Sequence, residues 1–321
     1  MSRNRALFAG ALSASVLATR AAAATARKIG IVDNPGPLKP QAAPVPYLGG
    51  LGVLAGTAVG AAATSPALLV PMALATALGT LDDRMNLSPR VRVAGQLGVG
   101  ALAAATVKTN LPGPIGPGAV VGATFVLMNG VNLMDGLDGL AGGVAATAGG
   151  AFALMLDGDP STVAASFALG CLGFLAYNRP PAKIYLGDGG AYLIGTSLAL
   201  LLASAWKPGV RGQVNLASLL VVAIPAAEVT FALVRRRRSG RSVVEGDRGH
   251  PYDRLVARGW SSRRAAGAYV SAALALGAAA YAGSKSRSVA LPAATVATAA
   301  AVMFGVAAAT GLLQPSTDYE P

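Results

Sequence analysis

The chain has 321 residues, of which 53% are apolar and only 12% charged. Soluble domains carry about 25% charged residues, so this chain has too little polar sequence to cover a water-facing surface. The same numbers exclude disorder, because disordered chains are poor in apolar residues. A single cysteine, Cys171, excludes a disulfide framework and a Cys-based zinc site, and a single histidine, His250, excludes a multi-histidine metal centre within one chain. The net charge of +12 points to nucleic acid or an anionic surface, and the position of the charges decides between them.

In chain order, apolar stretches occur at about 6–26, 47–63, 66–80, 92–107, 117–131, 138–156, 161–177, 189–205, 214–234, 262–282 and 288–312. Several are shorter than the roughly 20 residues a straight spanning helix needs, which a polytopic bundle tolerates when its helices pack on one another. Gly and Ala crowd them, as at Gly142-Gly143 and Gly149-Gly150, and small residues allow close helix approach in lipid. The expected fold is therefore all-α: a polytopic membrane protein with about ten to eleven transmembrane helices, read as one integral-membrane domain over 1–321. The first stretch follows Ser2-Arg3-Asn4-Arg5 and resembles a signal peptide, but Arg20 interrupts it, and we read it as a first membrane helix.

Orientation follows from Lys and Arg in the loops. Loops after odd-numbered stretches hold eighteen of them, including ten Arg between 235 and 264, whereas the opposite side holds seven. The odd loops, at about 27–46, 81–91, 129–138, 178–188 and 235–261, are expected to be cytoplasmic. The positive charge is then a topological signal, and nucleic acid is not expected as a partner.

The carboxylates share that face. Of fourteen Asp and Glu, nine lie in these loops or at helix ends facing them, whereas Glu228 lies inside the ninth stretch. Carboxylates at a membrane boundary are costly unless paired or bound to a cation, so their convergence suggests a metal site for a phosphate-bearing substrate. Four clusters carry this reading. Asp82 and Asp83 are adjacent at the end of the third stretch, where mutual repulsion calls for a cation or strong donors. Asn129, Asn132, Asp135 and Asp138 recur every third residue, giving one polar stripe if the segment is helical, with glycines that let the helix break. Gly187-Asp188-Gly189-Gly190 opens the eighth stretch, where backbone N–H groups can cradle phosphate and Asp188 can act as an N-cap. The longest loop carries Arg248, His250, Asp253 and Arg254, of which Arg248, His250 and Arg254 are candidates for phosphate or sugar contacts.

Together and in this order, the clusters resemble the polyprenyl-phosphate N-acetylhexosamine-1-phosphate transferases. The resemblance also takes in Ile31 to Pro35, Pro46-Tyr47-Leu48-Gly49-Gly50, Arg92 and Gln96, and covers about three quarters of the chain. It implies transfer of a sugar-1-phosphate from a UDP-sugar to a polyprenyl phosphate, releasing UMP, at the cytoplasmic face of a bacterial-type cell membrane, as the first membrane step of envelope glycan synthesis. The implied cofactor is Mg2+, with Mn2+ as the alternative ion. Its implied partners are the UDP-sugar, the lipid phosphate and the membrane, with homodimerisation left open.

By resemblance, Asp82 and Asp83 lie beside the lipid phosphate and metal, and Asp188 and Asp83 are metal ligands. Asn132, Asp135 and Asp138 line the nucleotide and pyrophosphate site. Asn129, Arg92, Lys39, Arg248, His250, Asp253 and Arg254 are expected to bind substrate. The chain departs from the family at Tyr252 and Asp253, where two further histidines are usual, at Ala191, and at Leu38-Lys39 and Gln41, where Arg-Lys and a His are usual. These departures favour a plain UDP-N-acetylhexosamine over a peptide-bearing donor. Two other readings use the same carboxylates: a cation-coupled transporter, for which internal repeats are missing, and an inactive scaffolding paralogue.

Overall fold

The computed structural model describes residues 2–36, 41, 43–240 and 249–314. Each of the eleven apolar stretches becomes helix. They are α1 (Ser2–Lys28), α2 (Gly50–Thr64), α3 (Leu69–Met85, entered through a 3-10 turn), α4 (Pro89–Thr106), α5 (Ile115–Met134), α6 (Leu140–Met155), α7 (Gly158–Asn178) and α8 (Gly187–Ala205). The ninth stretch is broken at Val222 into α9 (Gly212–Val221) and α10 (Ala223–Arg238), bent by 58°. A short α11 (Pro251–Ala257) precedes α12 (Ser262–Ser284) and α13 (Ala290–Ala309). Among the described residues, six helices are long and apolar enough to cross a membrane, and the bent pair makes a seventh span; α2 and α6 are apolar but shorter.

The bundle is built around α8, which is buried along nearly its whole length. It packs mainly against α3 and α5, and also against α2. Small residues set these distances. A Cβ on Gly50 would lie 2.5 Å from the Gly190 Cα, and one on Gly79 would run into the Asp188 carbonyl. Such contacts bring backbones together where lipid supplies no hydrophobic drive between helices. α1 packs against α2 and α7, and Ser15 Oγ donates to the Gly170 carbonyl at 2.6 Å. Outward-facing side chains such as Leu17, Leu154, Leu172, Leu274 and Val302 are 49–66% exposed. A water-facing monomer rarely shows so much apolar surface, whereas acyl chains accommodate it. The protein is an integral membrane protein.

A two-residue antiparallel ribbon, β1 (Val32–Asp33) with β2 (Val45–Pro46), closes one end of the bundle. Tyr185 N donates to the Pro46 carbonyl at 2.7 Å, and Gly49 N to the Tyr185 carbonyl at 3.0 Å. The segment leading into α8 is thereby stitched to the ribbon.

Candidate active site

A cleft of about 480 Å³ opens at the end of the bundle where α3 and α5 finish and α6 and α8 begin. Its walls include Asp33, Gln41, Tyr47, Asp83, Asp135, Asp138, Asn178 and Tyr185. Three of the expected carboxylates therefore meet in one cavity, although they are up to 55 positions apart in the chain.

On a helix, consecutive residues point about 100° apart, so Asp82 and Asp83 project in different directions. Asp83 lines it and caps α8 from outside, its Oδ2 accepting from Gly189 N at 3.4 Å. The start of α8, read from the sequence as either a phosphate cradle or a turn capped by Asp188, is thus engaged by Asp83 instead. Asp82 is 5% exposed and faces the bundle. Its Oδ1 accepts from Leu87 N at 3.1 Å, its Oδ2 accepts from Tyr192 Oη at 2.9 Å, and Arg92 lies 3.5 Å from that oxygen. Asp82 and Arg92, expected beside substrate, tie α3 to α4 and α8, and the Asp82 carboxyl is also in hydrogen-bond contact with that of Asp188. Asp188 is in the first turn of α8 rather than at its N-cap, which is Leu186. It lies within electrostatic range of Asp82, Asp83 and Asp135.

The expected polar stripe is broken in two. α5 ends at Met134 with Asp135 as its C-cap, and a turn carries Asp138 into the cleft before α6 starts at Leu140. Asp138 Oδ2 accepts from Ala182 N at 2.9 Å. Asn129 and Asn132 stay on α5 and are not among the cleft walls. The Asn129 amide donates to Gln96 Oε1 and to the Phe125 carbonyl, both at 2.8 Å, tying α5 to α4.

The loop candidates lie elsewhere. His250 is 4% exposed, with its Nδ1 3.2 Å from Glu228 Oε2. Asp253 accepts from His250 N at 3.2 Å as part of a capping box for α11. Arg254 donates to the Gly311 carbonyl at 2.6 Å and the Gln314 carbonyl at 2.9 Å, so it holds the end of the chain beyond α13. Lys39 and Arg248 lie outside the described residues.

Three further cleft residues are not among the site residues expected from the sequence, although Gln41 and Tyr185 stand in stretches that the resemblance takes in. Asn178 accepts from Gly139 N at 2.9 Å and donates to the Ile184 carbonyl at 2.9 Å, fixing the turn that holds Asp138. Gln41 donates to Asp33 Oδ2 at 2.6 Å. Burial pushes the Tyr185 hydroxyl up to about 12, helped by the charges of Asp138 and Asp33, so it stays a neutral donor at neutral pH. An isolated Asn or Tyr at a helix end gives no pattern to recognise.

Burial raises the Asp135 carboxyl well above the ordinary carboxylate range, and the charges of Asp188, Asp83 and Asp138 push it further. An acid raised in the fold contributes stability that is fully present below its unfolded value of about 4. That contribution is lost as pH rises through the folded value. In metal-free detergent solution, thermal stability should therefore fall as pH rises above about 4, and Asp135→Asn should flatten the slope. A variant whose melting temperature tracks wild type across that range would refute this.

Among the described residues, no three His, Cys, Asp or Glu side chains form a preassembled metal cage. The donor set still suits Mg2+, which takes one or two protein carboxylates and completes its shell with water and substrate phosphates.

Residues 65–205 match the model of glycosyl transferase family 4, a span that contains Asp82, Asp83, Asp135, Asp138 and Asp188. The chain is 30% identical over 263 residues to a probable undecaprenyl-phosphate N-acetylglucosaminyl 1-phosphate transferase of Bacillus subtilis, covering 74% of this chain and 72% of that one. It is 32% identical to a decaprenyl-phosphate N-acetylglucosaminephosphotransferase of Mycolicibacterium smegmatis, over 74% and 71% of the two chains. It is 28% identical to an undecaprenyl-phosphate alpha-N-acetylglucosaminyl 1-phosphate transferase of Escherichia coli K12, over 75% and 73%. With its helices arranged around this acidic cleft and relatives of this kind along three quarters of its length, the chain belongs to glycosyl transferase family 4.

Proposed function

We propose that the protein transfers an N-acetylhexosamine-1-phosphate from a UDP-sugar to a polyprenyl phosphate, releasing UMP. The observation that carries this reading is the meeting of Asp83, Asp135 and Asp138 in one polar cleft at the end of an apolar bundle. A water-soluble sugar nucleotide and a lipid phosphate can only meet at such a boundary. The names of the relatives support a polyprenyl-phosphate acceptor and a phosphorylated N-acetylglucosamine as the group transferred. The cleft end also carries the Arg- and Lys-rich loops, which argues that it faces the cytoplasm.

In this reaction an oxygen of the lipid phosphate attacks the phosphorus that bears the sugar. A new phosphorus–oxygen bond to the lipid forms, the bond to the bridging oxygen of the donor breaks, and UMP leaves with that oxygen. The acceptor needs little help from a base, since a phosphate monoester with a second pKa of about 6 is mostly a dianion at neutral pH. The main obstacle is bringing two anions together. Asp83, which lines the cleft, and Asp188, close behind it in the first turn of α8, would hold a divalent cation, which when bound would neutralise phosphate charge and orient the displacement. Asp138, fixed by the Ala182 amide, and the neutral hydroxyl of Tyr185 offer an acceptor and a donor to the sugar nucleotide.

The test is UMP release by detergent-solubilised protein given UDP-N-acetylglucosamine and a polyprenyl phosphate. Chelation should lower the rate at least about 100-fold, and Mg2+ should restore it. Substrate flux into vesicles without UMP would favour a transporter, and a folded protein inert across a panel of UDP-sugars would favour a scaffold.

A further inference from the structure

Glu228 lies inside α10 and lines none of the cleft, yet its side chain is only 3% exposed. A buried carboxylate must be held by donors, or it is expelled or neutralised. Two side chains from different elements supply contacts. Tyr269 of α12 donates to Oε1 at 2.6 Å, and His250 Nδ1 stands 3.2 Å from Oε2. The His250 ring then stacks on Tyr252 of α11, with ring centres 5.5 Å apart and planes within 8°. Tyr252 in turn donates its hydroxyl to the Leu133 carbonyl at 3.0 Å. That carbonyl belongs to the last turn of α5, where backbone acceptors run out of helical partners. The phenol also covers Gly136, where any Cβ would run into it. The chain of contacts thus runs from the interior of α10 to Leu133 and Gly136, which bracket Met134 and Asp135.

We propose that Glu228 is a positioning residue for the transfer reaction: by holding His250 and, through it, Tyr252, it fixes the turn that presents Asp135 and Asp138 to the cleft. The inference rests on the cleft being the transferase site. It gives the loop bearing His250 a role that needs no substrate contact from the imidazole. It also gives a role to a carboxylate within an apolar helix, whose two oxygens face the Tyr269 phenol and the His250 imidazole.

The test compares wild type with Glu228→Gln, Tyr252→Phe and the double variant, all as full-length protein in detergent. Tyr252→Phe removes one oxygen and keeps the stacked ring, so it isolates the bond to Leu133. Each single variant should lower kcat about 10-fold, as residues that orient catalytic groups do, with KM for the UDP-sugar within about twofold. The double variant should lose little more than the weaker single one, because both cut the same chain of contacts. Hydrogen exchange supplies a readout independent of turnover. The amides of 133–139 should exchange about fivefold faster in both single variants, with those of α7 unchanged. Wild-type exchange across 133–139 in both variants would overturn the proposal, as would faster exchange with an unaltered kcat. A wild-type protein that releases no UMP would overturn the transferase reading instead, and the exchange measurement would then decide the positioning role by itself.

Discussion

Replacing Asp83 by Asn is expected to lower UMP release by about 10²–10³-fold, the range seen when one preorganised electrostatic group is removed from a reacting centre. Asp82→Asn, one residue away, should cost less than about tenfold. The difference follows from helix geometry. Asp83 lines the cleft, whereas Asp82 is 5% exposed and engaged by Leu87, Tyr192 and Arg92. Asn at 83 retains an oxygen that can accept from Gly189 N, so the start of α8 keeps its partner and only the charge is lost. Removing one negative charge from a group of mutually repelling carboxylates should not lower the stability of the metal-free protein. Asn at 82 weakens a buried charge-assisted contact with Arg92, for which a stability loss of about 1–3 kcal/mol is expected. The two variants should therefore separate: Asp83→Asn folded but nearly inactive, Asp82→Asn less stable but active. Equal losses of UMP release, with equal melting temperatures, would contradict the assignment of one carboxylate to the cleft and the other to the bundle.

That pair also marks where reading the chain runs out. Eleven apolar stretches and the acidic residues gathered at their ends are composition and order, and they are legible without coordinates. The direction of a side chain at a helix end is not, because a shift of one residue turns it by about 100°. Asn129 and Asp135 share a repeat of three, yet the helix stops at Met134 and the repeat carries one residue into the bundle and the other into the cleft. His250 illustrates a second limit. A lone imidazole in a polar loop reads as open to substrate, and only the fold shows that the loop folds inward onto Glu228 from another helix. Long-range pairs of that kind leave no local pattern. Asn178 is similar: its two hydrogen bonds go to Gly139 and Ile184, on either side of it in the fold, and nothing in its own neighbourhood announces them.

Gly187→Ala should be nearly as damaging as Asp83→Asn, for a backbone reason. Gly187 has φ +73°, and a Cβ there would sit 2.5 Å from the Tyr47 carbonyl and 2.8 Å from Asp83 Oδ2. The first contact pushes the ribbon away from α8, and the second displaces the carboxylate that lines the cleft. The left-handed conformation alone costs an alanine about 1–2 kcal/mol. Gly209 provides the control, because it has φ +85° but nothing within 4 Å of its would-be Cβ. Gly209→Ala should therefore show the conformational cost alone, as a small drop in melting temperature with UMP release intact. Gly187→Ala should show that drop and, in addition, a loss of UMP release of about 10²-fold, since the displaced group is the one whose charge is at stake. If the two alanine variants behaved alike, the close approach of Tyr47, Asp83 and the start of α8 would not be what shapes the site. The cleft would then owe its geometry to the long helices alone.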